Sequence, residues 1–414
     1  MDIDVPAASS SSTSPLTYLE QQEASSPAEL KPWWTRIRTA YERKLWHNLT
    51  VTLTEFVFLP GTGEYQIELF EKFISTVEDK INALKLVEIA RRVGREYSEP
   101  ELTLQFLQSV HSRLTSPYAV PATDDTPGTP VPDRPIPEAY ALSLSSIAYA
   151  QLLLGDLPAC KKSLDECESL LNEQDSVEPQ VYAGYYGVAG DYFKVKADYA
   201  PYYKNALLYL ACVDVDKELG DEDRKARAHD LCIAALLGET IYNFGELLQH
   251  PILQTLSGTE YEWIKDLISA FNSGEIGKFD SLANNFSSEP ILESSLPFLR
   301  QKICLMALIQ TAFARSRDGS SRLMSFQSIG EATRLPVHEV EHLIMKALSL
   351  SLIRGTLDQV SATADITWIQ PRVLEQSQLD TLAEQFNAWR HGVESTELKV
   401  EQQREAARAA VLAS

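Results

Sequence analysis

The segment Leu323–Trp368 constrains the fold most, because its sequence changes from one kind of pattern to another within a short distance. It predicts a strand, a short helix, a turn, a longer helix and two further strands, in that order. The predicted bounds are Leu323–Phe326, Gln327–Thr333, Pro336–Ser349, Ile353–Asp358 and Asp365–Ile369. Pro336 suits the first turn of the longer helix, where a missing N–H breaks no hydrogen bond. This order of elements is that of a winged helix, which we place at residues 320–371.

The longer helix of this module indicates what the module can bind. Its apolar stripe consists of Val337, Val340, Ile344, Ala347 and Leu348. Its remaining surface presents Glu339 and Glu341, whereas a helix that reads DNA presents Arg, Lys, Asn or Gln to the bases. Between Ser320 and Pro371 there are four basic and five acidic residues. We therefore expect this module to contact protein and not nucleic acid.

A weak internal repeat precedes the winged helix. A small residue followed by an acid recurs at four predicted helix junctions, which are Gly155-Asp156, Ala197-Asp198, Gly238-Glu239 and Gly274-Glu275. The acids are 42, 41 and 36 residues apart. The small residue lets one helix end, and the acid favours the start of the next helix, where the helix dipole is positive. Two helices per period of about 40 residues are typical of a tetratricopeptide-like α-solenoid; four unrelated helix junctions are the alternative.

Composition limits the classes of partner. The chain has 414 residues and a net charge of -21, and its basic residues form no long block, so its surface repels phosphate backbones and anionic lipid. The clusters Arg91-Arg92-Arg95 and Arg224-Lys225-Arg227 are interpreted as solvated helix faces. No apolar run is long enough to span a bilayer, and the N-terminus does not have the pattern of a signal peptide. Five cysteines without a C-x-x-C pair fit a reducing compartment.

These observations predict a mainly α fold with six parts. Residues 1–15 are rich in Ser, Ala and Pro and are expected to be a disordered tail, and residues 116–137 contain seven prolines and are expected to be a loop. The predicted limits are 1–15 for the tail, 16–115 for N-terminal helical repeats, 116–137 for the loop, 138–314 for further repeats, 320–371 for the winged helix and 373–410 for a C-terminal helix.

The C-terminal helix has a regular apolar stripe, here called the seam. It consists of Leu379, Leu382, Phe386, Trp389 and Val393, spaced 3, 4, 3 and 4 residues apart. A period of 3.5 residues is typical of a helix that packs against other helices in a bundle. Large aromatic side chains on one face of a chain end need a partner, so we expect the seam to contact other polypeptides. Packing back onto the same chain is the alternative.

One motif points to an enzyme. His338-Glu339-Val340-Glu341-His342 matches H-E-x-x-H, in which two imidazoles one turn apart bind zinc and the Glu activates water. On the predicted helix, however, both histidines point away from the apolar stripe, and no third ligand follows. We therefore expect no catalytic residue, no metal and no cofactor, and keep a zinc metalloprotease as the less favoured alternative.

The order of repeats, winged helix and bundling helix resembles the PCI family, whose members occur in the proteasome lid, the COP9 signalosome and translation initiation factor 3. Several stretches are similar to the lid subunits in particular, namely Tyr202–Leu207, Leu237–Pro251, Ala270–Gly274, Val340–Ser349 and Thr367–Leu374. The resemblance covers about Trp33 to Gln402 and is most specific over Tyr202–Leu374. The N-terminal tail and the Pro-rich loop are longer than this family leads one to expect.

The resemblance implies a scaffold without catalysis, located in the cytoplasm and nucleus, in a hetero-oligomer with other PCI subunits of the lid and neighbouring regulatory-particle subunits. It also implies that winged helices pack side by side and that C-terminal helices gather into one bundle. We accordingly expect two interfaces. The first is the seam, and the second is the part of the winged helix formed by Gly355–Asp358 and Asp365–Ile369, represented by Gly355, Leu357, Ile366 and Trp368. A scaffold of the signalosome or of translation initiation factor 3 is the alternative.

Overall fold

The computed structural model describes residues 15–27, 29–59, 61–115, 136–174, 176–214, 220–317, 323–373 and 376–413. Contacts divide the chain into two compact units, Met1–Glu218 and Leu219–Ser414. The expected tail (1–15) and the expected Pro-rich loop (116–137) lie almost wholly outside the described residues. The sequence-based domain limits therefore stay predictions.

The first unit consists of helices. Their bounds are α1 Pro15–Ser25, α2 Lys31–Glu42, α3 Trp46–Phe58, α4 Gly63–Leu69, a π-helical turn Phe70–Ile74, α5 Ser75–Val77, a 3₁₀ turn Glu78–Lys80, α6 Ala83–Val93, a 3₁₀ turn Gly94–Glu96, α7 Pro100–Thr115, α8 Ile136–Leu153, α9 Leu157–Asn172, α10 Pro179–Val195 and α11 Tyr199–Cys212. An aromatic core holds the first helices together, since Trp34 is fully buried and its ring lies 4.9 Å from that of Phe56.

Three of the four expected repeat junctions have the same backbone geometry. Gly155, Ala197 and Gly274 adopt left-handed conformations, with φ of +80°, +58° and +69°. The acid after each of them donates its backbone N–H to the carbonyl five residues earlier, at 3.0 Å in all three cases. This is the Schellman ending of a helix, which the small residue makes possible. The acid then precedes the next helix, and Asp156 accepts a hydrogen bond from the backbone N–H of Ala159 at 3.2 Å.

The fourth junction, Gly238-Glu239, was predicted wrongly. Gly238 has a φ of -62°, and no helix begins at Glu239, because the next one starts at Gly245. The end of the preceding helix is capped by a buried lysine instead. Lys302 Nζ donates to the carbonyls of Ala235, Leu236 and Gly238 at 2.8, 2.9 and 2.7 Å. A donor from a distant helix thus replaces the local turn.

The second unit contains further helices and a small sheet. Its elements are α12 Asp221–Leu237, α13 Gly245–Gln249, a 3₁₀ turn Pro251–Leu256, α14 Glu262–Ser273, α15 Ile276–Leu282, a 3₁₀ turn Ala283–Ser288, α16 Pro290–Ser294, α17 Leu296–Arg317, β1 Leu323–Ser325, α18 Phe326–Thr333, α19 Val337–Ser349, β2 Ile353–Asp358, β3 Thr363–Ile369 and α20 Gln376–Ala413.

The winged helix predicted from the sequence is confirmed. The strands form an antiparallel sheet in the order β1-β3-β2, with Met324 opposite Ala364 and Thr356 opposite Asp365. Helix α19 buries Val340, Leu343, Ile344 and Ala347. Leu343 therefore belongs to the buried stripe, whereas Val337, at the first turn, is 49% exposed. The mainly α fold class, with helical repeats followed by a winged helix, is confirmed as well.

Among the residues that the structure describes, no helix combines the length and apolar content that a bilayer span requires.

Candidate assembly surface

The seam of the C-terminal helix is exposed along its whole length. Leu379, Leu382, Phe386, Trp389 and Val393 are 43, 40, 59, 71 and 51% exposed. At about 100° per residue these side chains fall within about 80° of the helix circumference, so they form one apolar stripe. Isolated surface hydrophobics need no explanation, but a continuous stripe with Phe and Trp marks an interaction site.

The start of this helix is tied to the body of the second unit. The backbone N–H of Val373 donates to Asn243 Oδ1 at 3.3 Å, and the same oxygen accepts from Gly245 N, also at 3.3 Å. Arg372 donates to the carbonyl of Asn272 at 3.4 Å and lies 5.1 Å from the ring centre of Phe313. We call Arg372 and Val373, with the groups that hold them, the anchor.

A glycine makes the anchor possible. A β-carbon on Gly245 would lie 2.7 Å from the Val373 β-carbon, so any side chain at this position would push Val373 away. Gly245 stands at the first position of α13, in the region where the fourth repeat junction was expected. Asn243 and Gly245 therefore form the binding site for Val373, which precedes α20.

The expected winged-helix interface lies on two strands with different positions in the sheet. Gly355 and Leu357 belong to β2, which is an edge strand and is partly exposed at both residues. Ile366 and Trp368 belong to the central strand β3; Ile366 is buried and Trp368 is 37% exposed. The pairing with β1 involves only Thr363–Asp365, so Ile366 and Trp368 lie beyond the end of β1.

A groove of about 250 Å³ opens beside this half of β3. It is lined by Phe313, Arg315, Met324, Ile366 and Trp368, among others. On the sheet, Arg354 lies opposite Trp368, and its guanidinium is 4.6 Å from the centre of the indole ring. This cation–π contact orients Trp368, and Arg354 is a residue that sequence reasoning did not select.

A β-bulge explains why position 355 is a glycine. The register of β2 shifts between Arg354 and Gly355, and a β-carbon on Gly355 would lie 2.0 Å from the carbonyl oxygen of Asp365. Backbone atoms cannot move aside as the end of a flexible side chain can. Only glycine therefore lets β2 approach β3 at this point.

Replacing Gly355 by alanine is expected to destabilise the protein by about 1–3 kcal/mol, because the new methyl group must separate the two wing strands. Chemical unfolding followed by circular dichroism measures this change. Gly392→Ala is the matched control, since nothing surrounds that β-carbon position in α20 and alanine favours a helix by about 1 kcal/mol over glycine. Equal stability of the two variants would contradict the steric argument.

The tip of the wing exposes an apolar residue that sequence reasoning missed. Val360 is 100% exposed. Asp358 accepts hydrogen bonds from the backbone N–H groups of Val360 and Ser361 at 3.0 and 3.2 Å, which fix the turn. The side chain of Ser361 first, and then these two N–H groups, lower the pKa of the Asp358 carboxyl. A valine among polar residues between two predicted strands was the available signal for an exposed apolar side chain.

The H-E-x-x-H motif lies on the solvent side of α19. His338 and His342 are exposed, and Glu339 is exposed beside them. In the described part of the chain, no three His, Cys, Asp or Glu residues come together in a way that could hold a metal. A catalytic zinc site takes three protein ligands in a walled cavity, and the surroundings of this motif do not have that form.

Two family models match the chain. The model of PSD13 N-terminal repeats matches residues 33–268, which is more than half of the sequence. The PCI domain model matches residues 278–365, which include α17, β1, α18, α19 and β2.

Proteasome regulatory subunits match this chain over nearly their whole length. The chain is 38% identical over 392 residues to the 26S proteasome non-ATPase regulatory subunit 13 homolog B of Arabidopsis thaliana, and the match covers 93% of this chain and 97% of the relative. It is 35% identical over 384 residues to a probable 26S proteasome regulatory subunit, rpn9, of Schizosaccharomyces pombe, covering 93% and 95%. Similarity to the COP9 signalosome complex subunit 7 of Dictyostelium discoideum is 27% over 156 residues and covers 37% of this chain and 56% of that protein.

Proposed function

Since this chain belongs to the family of the 26S proteasome non-ATPase regulatory subunit 13, we propose that it is a non-catalytic structural subunit of the lid of the proteasome regulatory particle. In that role it supports assembly of the particle and thereby ubiquitin-dependent protein degradation. The observation that carries the proposal is similarity over 93% of this chain and 97% of the Arabidopsis relative. A scaffold role in the signalosome is less favoured, because similarity to that complex's subunit covers 37% of the chain.

The proposal assigns two surfaces to assembly. The seam packs against helices of other subunits, because its five apolar side chains are exposed and aligned. The edge strand β2, with Gly355 and Leu357, contacts a neighbouring winged helix, and Ile366 and Trp368 contribute the adjoining part of β3. Backbone groups on an edge strand are available for pairing with another strand.

The proposal gives the chain no catalytic step, metal or cofactor of its own. The partners are other PCI subunits and neighbouring subunits of the regulatory particle, and the protein is located in the cytoplasm and the nucleus. The acidic composition, with a net charge of -21, supports protein partners over nucleic acid or anionic membrane.

Native pull-down with an N-terminal tag, followed by mass spectrometry, tests the proposal. The tag stands at the end opposite the seam so that the seam stays available. We expect other subunits of the proteasome regulatory particle in near-equal amounts, and none in a parallel purification from untagged extract. Recovery of the chain alone, or with signalosome or translation initiation factor 3 subunits, would contradict the proposal.

A further inference from the structure

Three arginines in the first unit form a positively charged cluster that the assembly surface does not include. Arg91 and Arg92 lie near the end of α6, and Arg95 lies in the 3₁₀ turn that follows. The sequence indicated a solvated helix face. Arg95 is exposed, but Arg91 and Arg92 are only partly so, and Arg92 Nε is buried without a hydrogen-bond partner. The cluster therefore differs from an ordinary charged surface.

Arg91 lies where three helices meet. Its Nη1 atom is 3.5 Å from the point that a β-carbon on Gly184 would occupy, and Ser145 Oγ is 3.3 Å from the same point. Gly184 belongs to α10 and Ser145 to α8, so the guanidinium occupies a cleft between α6, α8 and α10. Burial lowers the pKa of Arg91, the charge of Arg95 lowers it further, and Tyr209, Tyr149 and Glu88 act in the opposite direction.

Among the described residues, no acid pairs directly with this cluster, although the charge of Glu88 acts on Arg91. None of Arg91, Arg92 and Arg95 forms an ion pair with another described residue. Glu88, one turn before Arg91 on α6, holds Lys85 with both carboxylate oxygens, at 3.0 and 2.9 Å. This is unusual in a chain with 58 acidic and 37 basic residues. A guanidinium remains charged in proteins, so a partly buried one without an anion is costly until an anion arrives.

We propose that Arg91, with Arg95 at the rim, binds a carboxylate of an acidic segment of a partner polypeptide. The planar guanidinium presents parallel N–H donors that match the two oxygens of a carboxylate. Tyr149 and Tyr209 are partly exposed beside it, and tyrosines are enriched where proteins bind one another. A chain with a net charge of -21 repels large polyanions, so a short acidic segment suits this local cluster better than a nucleic acid.

Binding to the isolated full-length chain tests the proposal. The probe is a fluorescein-labelled peptide in which glutamates alternate with glycines, and fluorescence anisotropy gives its Kd. Arg91→Met is expected to weaken binding by about 10-fold or more, because charge-assisted hydrogen bonds are lost. Arg91→Lys, which keeps the charge but not the fork, and Arg95→Gln are expected to give smaller losses. The control Arg43→Met removes an exposed charge from the same unit and is expected to change nothing.

A second measurement separates binding from a role in folding. Arg91→Met is expected to leave the Tm of the free chain unchanged or to raise it, since no ion pair among the described residues is lost and the burial of an unpaired charge is relieved. A lower Tm would show that the guanidinium supports the fold and would overturn the proposal. Equal binding of a glutamine-for-glutamate peptide, full competition by equimolar inorganic phosphate, or unchanged affinity of Arg91→Met would overturn it too. This inference rests on the proposed function only for the identity of the partner, a lid subunit. The pull-down that tests the proposed function does not depend on Arg91, so the two can fail separately.

Discussion

Replacing Phe386 and Trp389 together by glutamate is expected to exclude the chain from the assembled regulatory particle while leaving the isolated protein folded. Both side chains are more than half exposed, so the substitution removes little packing within the chain. In a helical bundle the same side chains would be buried, and each would contribute about 2 kcal/mol or more. Their joint loss corresponds to a decrease in affinity of about a thousandfold.

Native gel electrophoresis of extracts in which the variant replaces the wild-type chain measures this incorporation. Leu398→Glu is the matched control, because Leu398 is 59% exposed on the same helix but lies off the seam. We expect it to enter the particle normally. Normal incorporation of the double variant would remove the seam from the proposed interface.

Deletion of the C-terminal helix is expected to have the same outcome, provided that the cut is made after Val373. Val373 contacts Gly245 and bonds to Asn243, so a cut that removes it would also disturb the body of the second unit. A chain that ends at Val373 should show the unfolding transition of the intact protein and should be absent from the particle.

The second large effect is expected at Lys302. Its Nζ donates to the Ala235 and Leu236 carbonyls at the end of α12 and lies 5.3 Å from the ring centre of Phe244. Methionine has a similar shape but no donor. Lys302→Met is therefore expected to destabilise the protein by about 2–5 kcal/mol, since each buried carbonyl without a donor costs about 1–3 kcal/mol.

The effect of this substitution should depend on pH. Burial lowers the pKa of Lys302 from 10.5 to about 7. Between these values the unfolded chain holds a proton that the folded chain has released, so the free energy of unfolding rises with pH across the window. A neutral amine has two N–H groups for the three carbonyls of Ala235, Leu236 and Gly238, so it keeps two of the three hydrogen bonds. Because methionine does not titrate, the rise in the free energy of unfolding belongs to wild type alone, and the difference in stability between wild type and Lys302→Met should be larger at pH 9 than at pH 7.

Urea unfolding at the two pH values measures both effects. Lys346→Met serves as the control, because Lys346 is exposed on α19 and its loss should change stability little at either pH. A difference between wild type and Lys302→Met that shrinks as the pH rises would mean that the folded protein holds Lys302 in its charged form.

The parts of the fold that follow local rules were predictable from the sequence. The strand β2 was predicted with its observed bounds, and three repeat junctions have the turn that a small residue before an acid indicates. The seam was visible because a spacing of 3 and 4 residues needs no knowledge of the tertiary structure. In each case the determining residues are neighbours in the chain.

The features that were predicted wrongly or not predicted depend on residues far apart in the sequence. The junction at Gly238 differs because Lys302, 64 residues away, caps the helix. The anchor joins Val373 to Asn243, 130 residues away, and the bulge at Gly355 is visible only once Asp365 lies beside it. Arg91 could be interpreted as solvated until the structure placed Gly184 and Ser145 around it. Patterns within one segment cannot contain such information.

The anchor also limits how far the start of the terminal helix can move from the body of the second unit. Three Cα–Cα steps of about 3.8 Å separate Val373 from Gln376, so the first turn of the terminal helix stays within about 11 Å of its attachment point. If a neighbouring subunit docks on the wing as proposed, the short tether would present the seam to that subunit at a high effective concentration. The wing and the seam, each binding weakly by itself, would then together hold this chain in the particle. Loss of either contact would be enough for the chain to dissociate.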